Sequence, residues 1–219
     1  MVGMVPRGRG DVNGMELFEI ILHPKEKMAA ELKKVNMDWA HKQFALYGAI
    51  IGLVLGIGVA LLGGILGAVL GNAMQSNIIF GLVAGLGLLA IIIMPIIGAL
   101  VTVVGSFIGY GIMYFVAKLL GGTGTFDANY FLGAKLLVPL IVANIIVGLL
   151  GIVPLIGALV NLIWFFYSVY LTVVLVSTAN KLSMLKSLIV VILPIILIVI
   201  LGGLIAGAII ASVLAGAAN

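Results

Sequence analysis

From Phe44 onward the chain is a succession of long apolar runs, broken at four places by polar or turn-forming residues. The breaks are the run Asn72 to Asn77, the loop Gly121 to Asn129, the Pro154 region and the stretch Ala179 to Lys186. They leave apolar segments at approximately 44–71, 78–120, 131–152, 155–178 and 187–217. A helix rises about 1.5 Å per residue and a bilayer core is about 30 Å thick, so every segment is long enough to cross. The pattern predicts an all-α, polytopic transmembrane helix bundle with five crossings.

Segment 78–120 strains that count, because as a single helix it would measure roughly 64 Å, twice the core. Charge placement arbitrates between one crossing and two. After Lys42 the charged side chains are Lys118, Asp127, Lys135, Lys181 and Lys186. Five crossings put all four of these lysines on the side of the N-terminal lysines, whereas six would move them across the membrane, against the preference for basic residues inside. The sequence is therefore expected to have a cytoplasmic N-terminus and an outside C-terminus. Part of 78–98 is read as a separate short or tilted helix ending near Pro95.

Before the first crossing the pattern changes. Residues 1–14 are rich in glycine and charge and too poor in apolar residues to pack, so they are expected to be disordered. Across 15–43, Met28, Leu32, Val35 and Trp39 recur at helical spacing and Pro24 suits a first turn, which predicts an amphipathic helix. Lysines interleave with acidic residues on its other face, so it is expected to lie at the membrane interface with Trp39 at headgroup level.

Composition closes off other classes. The chain is 64% hydrophobic and 8% charged, against roughly 25% charged in a soluble domain, which excludes a water-soluble fold. Residues 1–42 hold no apolar core beside a small-residue cleavage site, so no cleaved signal peptide is expected. With no cysteine, thiolate chemistry is excluded. The net charge of +4 is not gathered into a single-sign cluster, and nucleic acid is not an expected partner.

Candidate chemistry is sparse. No Asp, Glu, His, Lys or Arg lies within an apolar segment away from its ends, which argues against proton relays and intramembrane catalysis. His23 and His41 have no metal-ligand spacing, and neither a catalytic residue, a metal site nor a cofactor is expected. Small residues at every fourth position, Gly48, Gly52, Gly56, Ala60, Gly64 and Ala68, and again Gly203, Gly207, Ala211 and Ala215, predict close helix packing. The same spacing suits self-association, so a homo-oligomer is an open alternative. Asn144 and Asn161 are candidates for a polar site near mid-membrane.

The run KLLGGTGTF (118–126), the helix containing Pro139, the turn GIVPLIG (151–157), the run LIWFFYSVYLTVVLV and the loop KLSMLKSLIVVILP together resemble the membrane domain of the Yip family, the Ypt/Rab-interacting proteins. The entry segment LFEIILHPKEKMAAELKK is similar to that of prokaryotic members, and the likeness spans about residues 15–210. The resemblance implies five membrane helices, a cytosolic N-terminus and a role in membrane trafficking or organisation, with other membrane proteins or a small GTPase as partners beside the lipid bilayer. The Asp-Leu-Tyr-Gly-Pro signature of the eukaryotic members is absent. Gly121, Gly122, Gly124 and Phe126 mark the family loop and are read as structural. The function expected is a membrane scaffold or adaptor without enzymatic activity; the alternative is a small-solute transporter or channel with its site near Asn144 and Asn161.

Overall fold

A computed structural model describes residues 14–73 and 77–217. The disorder expected of residues 1–14 falls, apart from Gly14, outside the described residues, as do three residues (74–76) of the first polar break. The chain is helical, with no strand among the described residues. Two short helices, α1 (Gly14–Leu22) and α2 (Pro24–Glu31), are followed by a 3-10 turn, Leu32–Lys34. Five long helices follow: α3 (Met37–Ala73), α4 (Asn77–Leu119), α5 (Phe126–Leu150), α6 (Pro154–Asn180) and α7 (Met184–Ala217). All five are long and apolar enough to cross a membrane.

The amphipathic helix expected over 15–43 is divided. Pro24 ends α1 and opens α2, and Val35 and Asn36 separate the 3-10 turn from α3, where Asn36 Oδ1 accepts from the Trp39 N–H at 2.9 Å as a helix cap. Part of its apolar side packs on protein. Ile20, Ile21 and Met28 are buried against the bundle, and the Tyr167 hydroxyl of α6 donates to the Ile21 carbonyl at 2.7 Å.

The separate helix expected to end near Pro95 is corrected: α4 is one helix that runs through that residue. In hydrocarbon an interrupted helix exposes backbone groups that nothing solvates, so keeping the helix around a proline costs less than ending it. The α3 surface opposite is built to fit, because a Cβ at Gly52 would run into the Met94 carbonyl and lie 2.8 Å from the Pro95 Cα.

The helices α3 and α4 form an antiparallel hairpin of close backbone contact. A Cβ on Gly48 would collide with the Gly98 carbonyl oxygen, and one on Gly56 would lie 2.6 Å from that of Ala90. Alternation of chain direction brings the start of α3, the end of α4, the start of α5, the end of α6 and the start of α7 to one end of the bundle. The strap formed by α1 and α2 packs there too, and the largest fully buried side chains gather at the same end: Tyr130, Phe44, Phe131 and Met28.

Candidate functional site at the polar end of the bundle

The loop between α4 and α5 is short, and backbone fit shapes it. Gly121 has φ +86°, where an L side chain is strained. The Gly122 N–H donates to the Ala117 carbonyl at 2.8 Å, and a Cβ on Gly122 would lie 2.8 Å from that same oxygen. At Gly124 a Cβ would run into the Ala179 carbonyl, so this residue lets the loop lie directly on the end of α6. Thr123 N–H donates to Asn180 O at 3.0 Å, Thr125 caps α5 by accepting from the Ala128 N–H at 3.2 Å, and Lys186 Nζ donates to Leu120 O at 2.9 Å. The ends of α4 and α6 and the starts of α5 and α7 are thus tied to one loop.

Beneath it lies a closed pair of amides. Asn129 Nδ2 donates to Asn180 Oδ1 at 3.1 Å, and Asn180 Nδ2 returns a bond to Asn129 Oδ1 at 2.7 Å. The remaining N–H of each goes to a carbonyl of its own helix, Thr125 O at 2.8 Å and Val176 O at 3.0 Å. Both residues are fully buried and every amide hydrogen is used, which offsets the cost of placing two amides away from water.

An aromatic layer follows. Tyr130 sits at its centre, with ring centroids 4.6 Å from Phe44, 5.5 Å from Phe126 and 5.0 Å from the His41 ring. Phe107 and Tyr110 of α4 complete the layer, and Tyr110 lies across Gly133, where any Cβ would strike its ring. His41 Nδ1 is 2.8 Å from the Met37 carbonyl. The buried Tyr130 hydroxyl has no hydrogen-bond partner among the described residues.

At the edge, α5 holds the strap by charge. Lys135 Nζ pairs with Glu31 at 2.9 Å and stands 4.5 Å above the Trp39 ring. Lys34 adds a second contact to the same carboxylate at 3.0 Å, and Lys27 pairs with Glu19 between α2 and α1. Burial pushes the Glu31 carboxyl up, but its bonds and charge attraction to Lys135 and Lys34 outweigh that and hold it below its ordinary value. Among the described residues no group of His, Cys, Asp and Glu is arranged to hold a metal ion.

A family model described as the Yip1 domain matches residues 18–214, from the strap to the last turns of α7. The chain belongs to the Yip1 domain family. No curated protein and no solved structure matches it. The matched range takes in the strap, so in this Yip1 domain α1 and α2 belong to the folded unit and are not an appendage to it.

The residues singled out from the Yip1 sequence fall in three places. Gly121, Gly122, Gly124 and Phe126 lie together at the polar end, three in the loop and Phe126 in the aromatic layer. Gly48, Gly52 and Gly56 are buried against α4, while a Cβ on Gly64, Gly203 or Gly207 would meet open space. Asn144 and Asn161 face outward: Asn144 Oδ1 accepts from Trp164 Nε1 at 2.7 Å, and Asn161 Nδ2 donates to its own helix at Gly157 O, also at 2.7 Å. An open groove of about 460 Å³ runs between α6 and α7, lined by Phe166, Tyr170, Met184 and Leu188 among others, and neither asparagine borders it.

Sequence reasoning passed over Asn129, Asn180 and Tyr130 as site residues, and used Lys135 only to set the topology. The two asparagines stood inside stretches read as loops, whereas α5 begins at Phe126 and α6 ends at Asn180. A usable signal was present, since Thr125 is followed three residues on by helix-compatible sequence and so reads as an N-cap, which places Asn129 in the second turn. Nothing in the sequence pairs Asn129 with Asn180.

Proposed function

We propose that this multi-pass Yip1-domain protein is a membrane scaffold or adaptor, oriented with the polar end in the cytoplasm, which presents the strap and the Gly121–Thr125 loop to partner proteins. The observation that carries this reading is the contrast between the two faces of the strap. Its inner face is locked by Ile20, Ile21, Met28 and the Glu31–Lys135 pair, while Lys25, Glu26 and Lys33 are exposed on a rigid base. A fixed, charged, solvent-directed platform suits recognition of a polar protein surface, and pre-organisation lowers the ordering cost of binding. The family likeness supports partners at a membrane, a small GTPase among them.

The test is purification from native membranes into lipid nanodiscs, followed by mass spectrometry of everything retained, for the wild type and for a Lys25→Glu, Lys33→Glu variant. Deleting the strap would be uninformative because it is part of the core. Recovery of a membrane or GTP-binding protein that is lost in the charge-reversed variant supports the proposal. Recovery only of a small molecule, lost on changing Asn144 or Asn161 to leucine, overturns it in favour of a transporter.

A further inference from the structure

The two hairpins reach to very different depths below the charged layer. Lys135, with Glu31 and Trp39 around it, marks where charge flanks α5, and the Tyr167 hydroxyl, bonded to the Ile21 carbonyl, marks where α6 meets the strap. Charge is costly in hydrocarbon and Trp favours the interface, so this layer lies at or outside the edge of the bilayer core. Along α5 the distance from Lys135 to the turn at Gly151 is about 24 Å, and along α6 from Tyr167 to Val153 about 21 Å, at 1.5 Å per residue. Both fall short of the core thickness of about 30 Å, and tilt shortens the depth further. By the same measure α3 continues about 51 Å beyond Trp39, while α7, counted from Lys186, which bonds the loop at Leu120 and not this layer, runs about 46 Å.

The chemistry of the two turns agrees with the lengths. The α3–α4 hairpin ends between Asn72 and Asn77, both exposed. The α5–α6 turn carries Leu149, Leu150, Ile152, Val153 and Leu155, without a polar side chain, and Ile152 and Leu155 are 77% and 81% exposed. Such a tip in water would lose most of the hydrophobic gain that holds a membrane protein in place. Its backbone suits an apolar setting: the Gly151, Ile152 and Val153 N–H groups all donate within the turn, to Val147, Leu149 and Leu150, and Pro154 has none to donate. Gly157 packs onto this turn so closely that a Cβ would lie 2.6 Å from the Gly151 Cα, keeping it compact.

We propose that the α5–α6 hairpin is a partial-depth wedge: its whole helices are long enough to cross, but the part below the charged layer is not, so its turn stops inside the hydrocarbon while α3, α4 and α7 pass through. The ligand of this tip is the acyl-chain interior of the bilayer. Volume is therefore added mainly to the leaflet on the polar side, beneath the strap. This inference is independent of partner binding at the strap, since it concerns the opposite end of the hairpin.

The chain has no cysteine, which allows a direct test. Ile152→Cys, Leu155→Cys and Asn77→Cys variants are reconstituted in vesicles, opened so that both faces are accessible, and treated with a charged, membrane-impermeant maleimide. Ile152 and Leu155 make little contact with the rest of the chain, so folding is not at stake. The expected result is near-complete labelling at position 77, at least ten-fold slower labelling at 152 and 155, and equal labelling of all three after denaturation in detergent. Collisional quenching of an uncharged fluorophore at 152 by nitroxide lipids should be greatest with the nitroxide deep in the acyl chain. Labelling at 152 as fast as at 77, or quenching greatest from headgroup nitroxides, overturns the wedge.

Discussion

The polar end and the apolar remainder of the bundle are held together by different physics. At the polar end large side chains are fully enclosed by protein, amides are paired and charges are matched, as in a water-soluble core. Toward the far ends of α3 and α4, side chains such as Leu61, Leu62, Leu82 and Leu86 point away from the protein. Contact there is made by backbone on backbone at glycines. Lipid tails are as apolar as leucine, so the far half gains little by burying leucine and gains instead from close approach. Defects should therefore be felt through lost side-chain packing and unmet hydrogen bonds at one end, and through added bulk at the other.

The largest effects are expected where the two modes meet, at glycines pressed against a carbonyl. Gly124→Val at the polar end and Gly52→Val in the α3–α4 hairpin each put a Cβ into a backbone oxygen that cannot step aside. Each should cost about 3 kcal/mol or more, at the upper end of overpacking effects, and yield little folded protein by size-exclusion chromatography in detergent. The paired change of Gly121 and Gly122 to valine should do the same, through positive φ at Gly121 and crowding of Ala117 at Gly122. Wild-type yield and melting in any of these would show that the backbones can part cheaply, and the contrast between the ends would lose its basis.

Next in size is the amide pair. Asn129→Ala leaves the Asn180 amide buried with an open donor and acceptor, at a cost of about 1–3 kcal/mol, and Asn180→Ala should behave likewise. With both changed to leucine no buried polar group is stranded, so the double variant should lose less than the sum of the singles in thermal melts. Strict additivity would mean that the two amides act separately.

This pair also shows where the sequence stops being readable. Periodicity and run length predict five long helices and the polar end that collects Lys118, Asp127, Lys135, Lys181 and Lys186, because bilayer thickness and charge cost act on single segments. They do not say that Asn129 on α5 faces Asn180 on α6, or that Glu31 reaches Lys135, because those pairings depend on rotation and depth between helices that no single segment encodes. The burial of Met28 by the bundle was hidden for the same reason: an apolar face fits lipid and protein equally well, and the packing of the other helices decides which of them covers it. In the Gly121–Thr125 loop the close backbone fit of Gly122 and Gly124 is seen only in the structure, as is the part of Phe126 in an aromatic layer with Tyr130.

A smaller effect separates the strap from the core. Glu31 is held below its ordinary value of 4.5, so its pairing with Lys135 contributes fully above that value and is lost as pH falls through the lower, folded value. Acidification below about pH 4.5 should weaken the strap, with a fall in melting temperature and a change in Trp39 fluorescence as Lys135 leaves its ring. Glu31→Gln should remove that share of the pH dependence while leaving the amide pair untouched. An acid response identical in wild type and variant would place the sensitivity elsewhere.

The smallest effect makes the sharpest comparison, because it uses one stripe of glycines on one helix. A strict four-residue repeat advances about 40° per step around a helix of 3.6 residues per turn, so four steps carry Gly64 roughly 160° from the face of Gly48. Close contact with α4 is kept instead by a three-residue step to Gly63, where a Cβ would lie 3.1 Å from the Val83 carbonyl, while one on Gly64 meets nothing within 4 Å. Gly64→Ala should therefore change stability by no more than about 1 kcal/mol, and upward if at all, since alanine is the better helix former. Gly52→Ala, on the same helix and of the same size, should be strongly destabilising. If in cell membranes Gly64→Ala proves as damaging as Gly52→Ala, then the open face at Gly64 is covered there by a second chain, and cross-linking at position 64 would capture it.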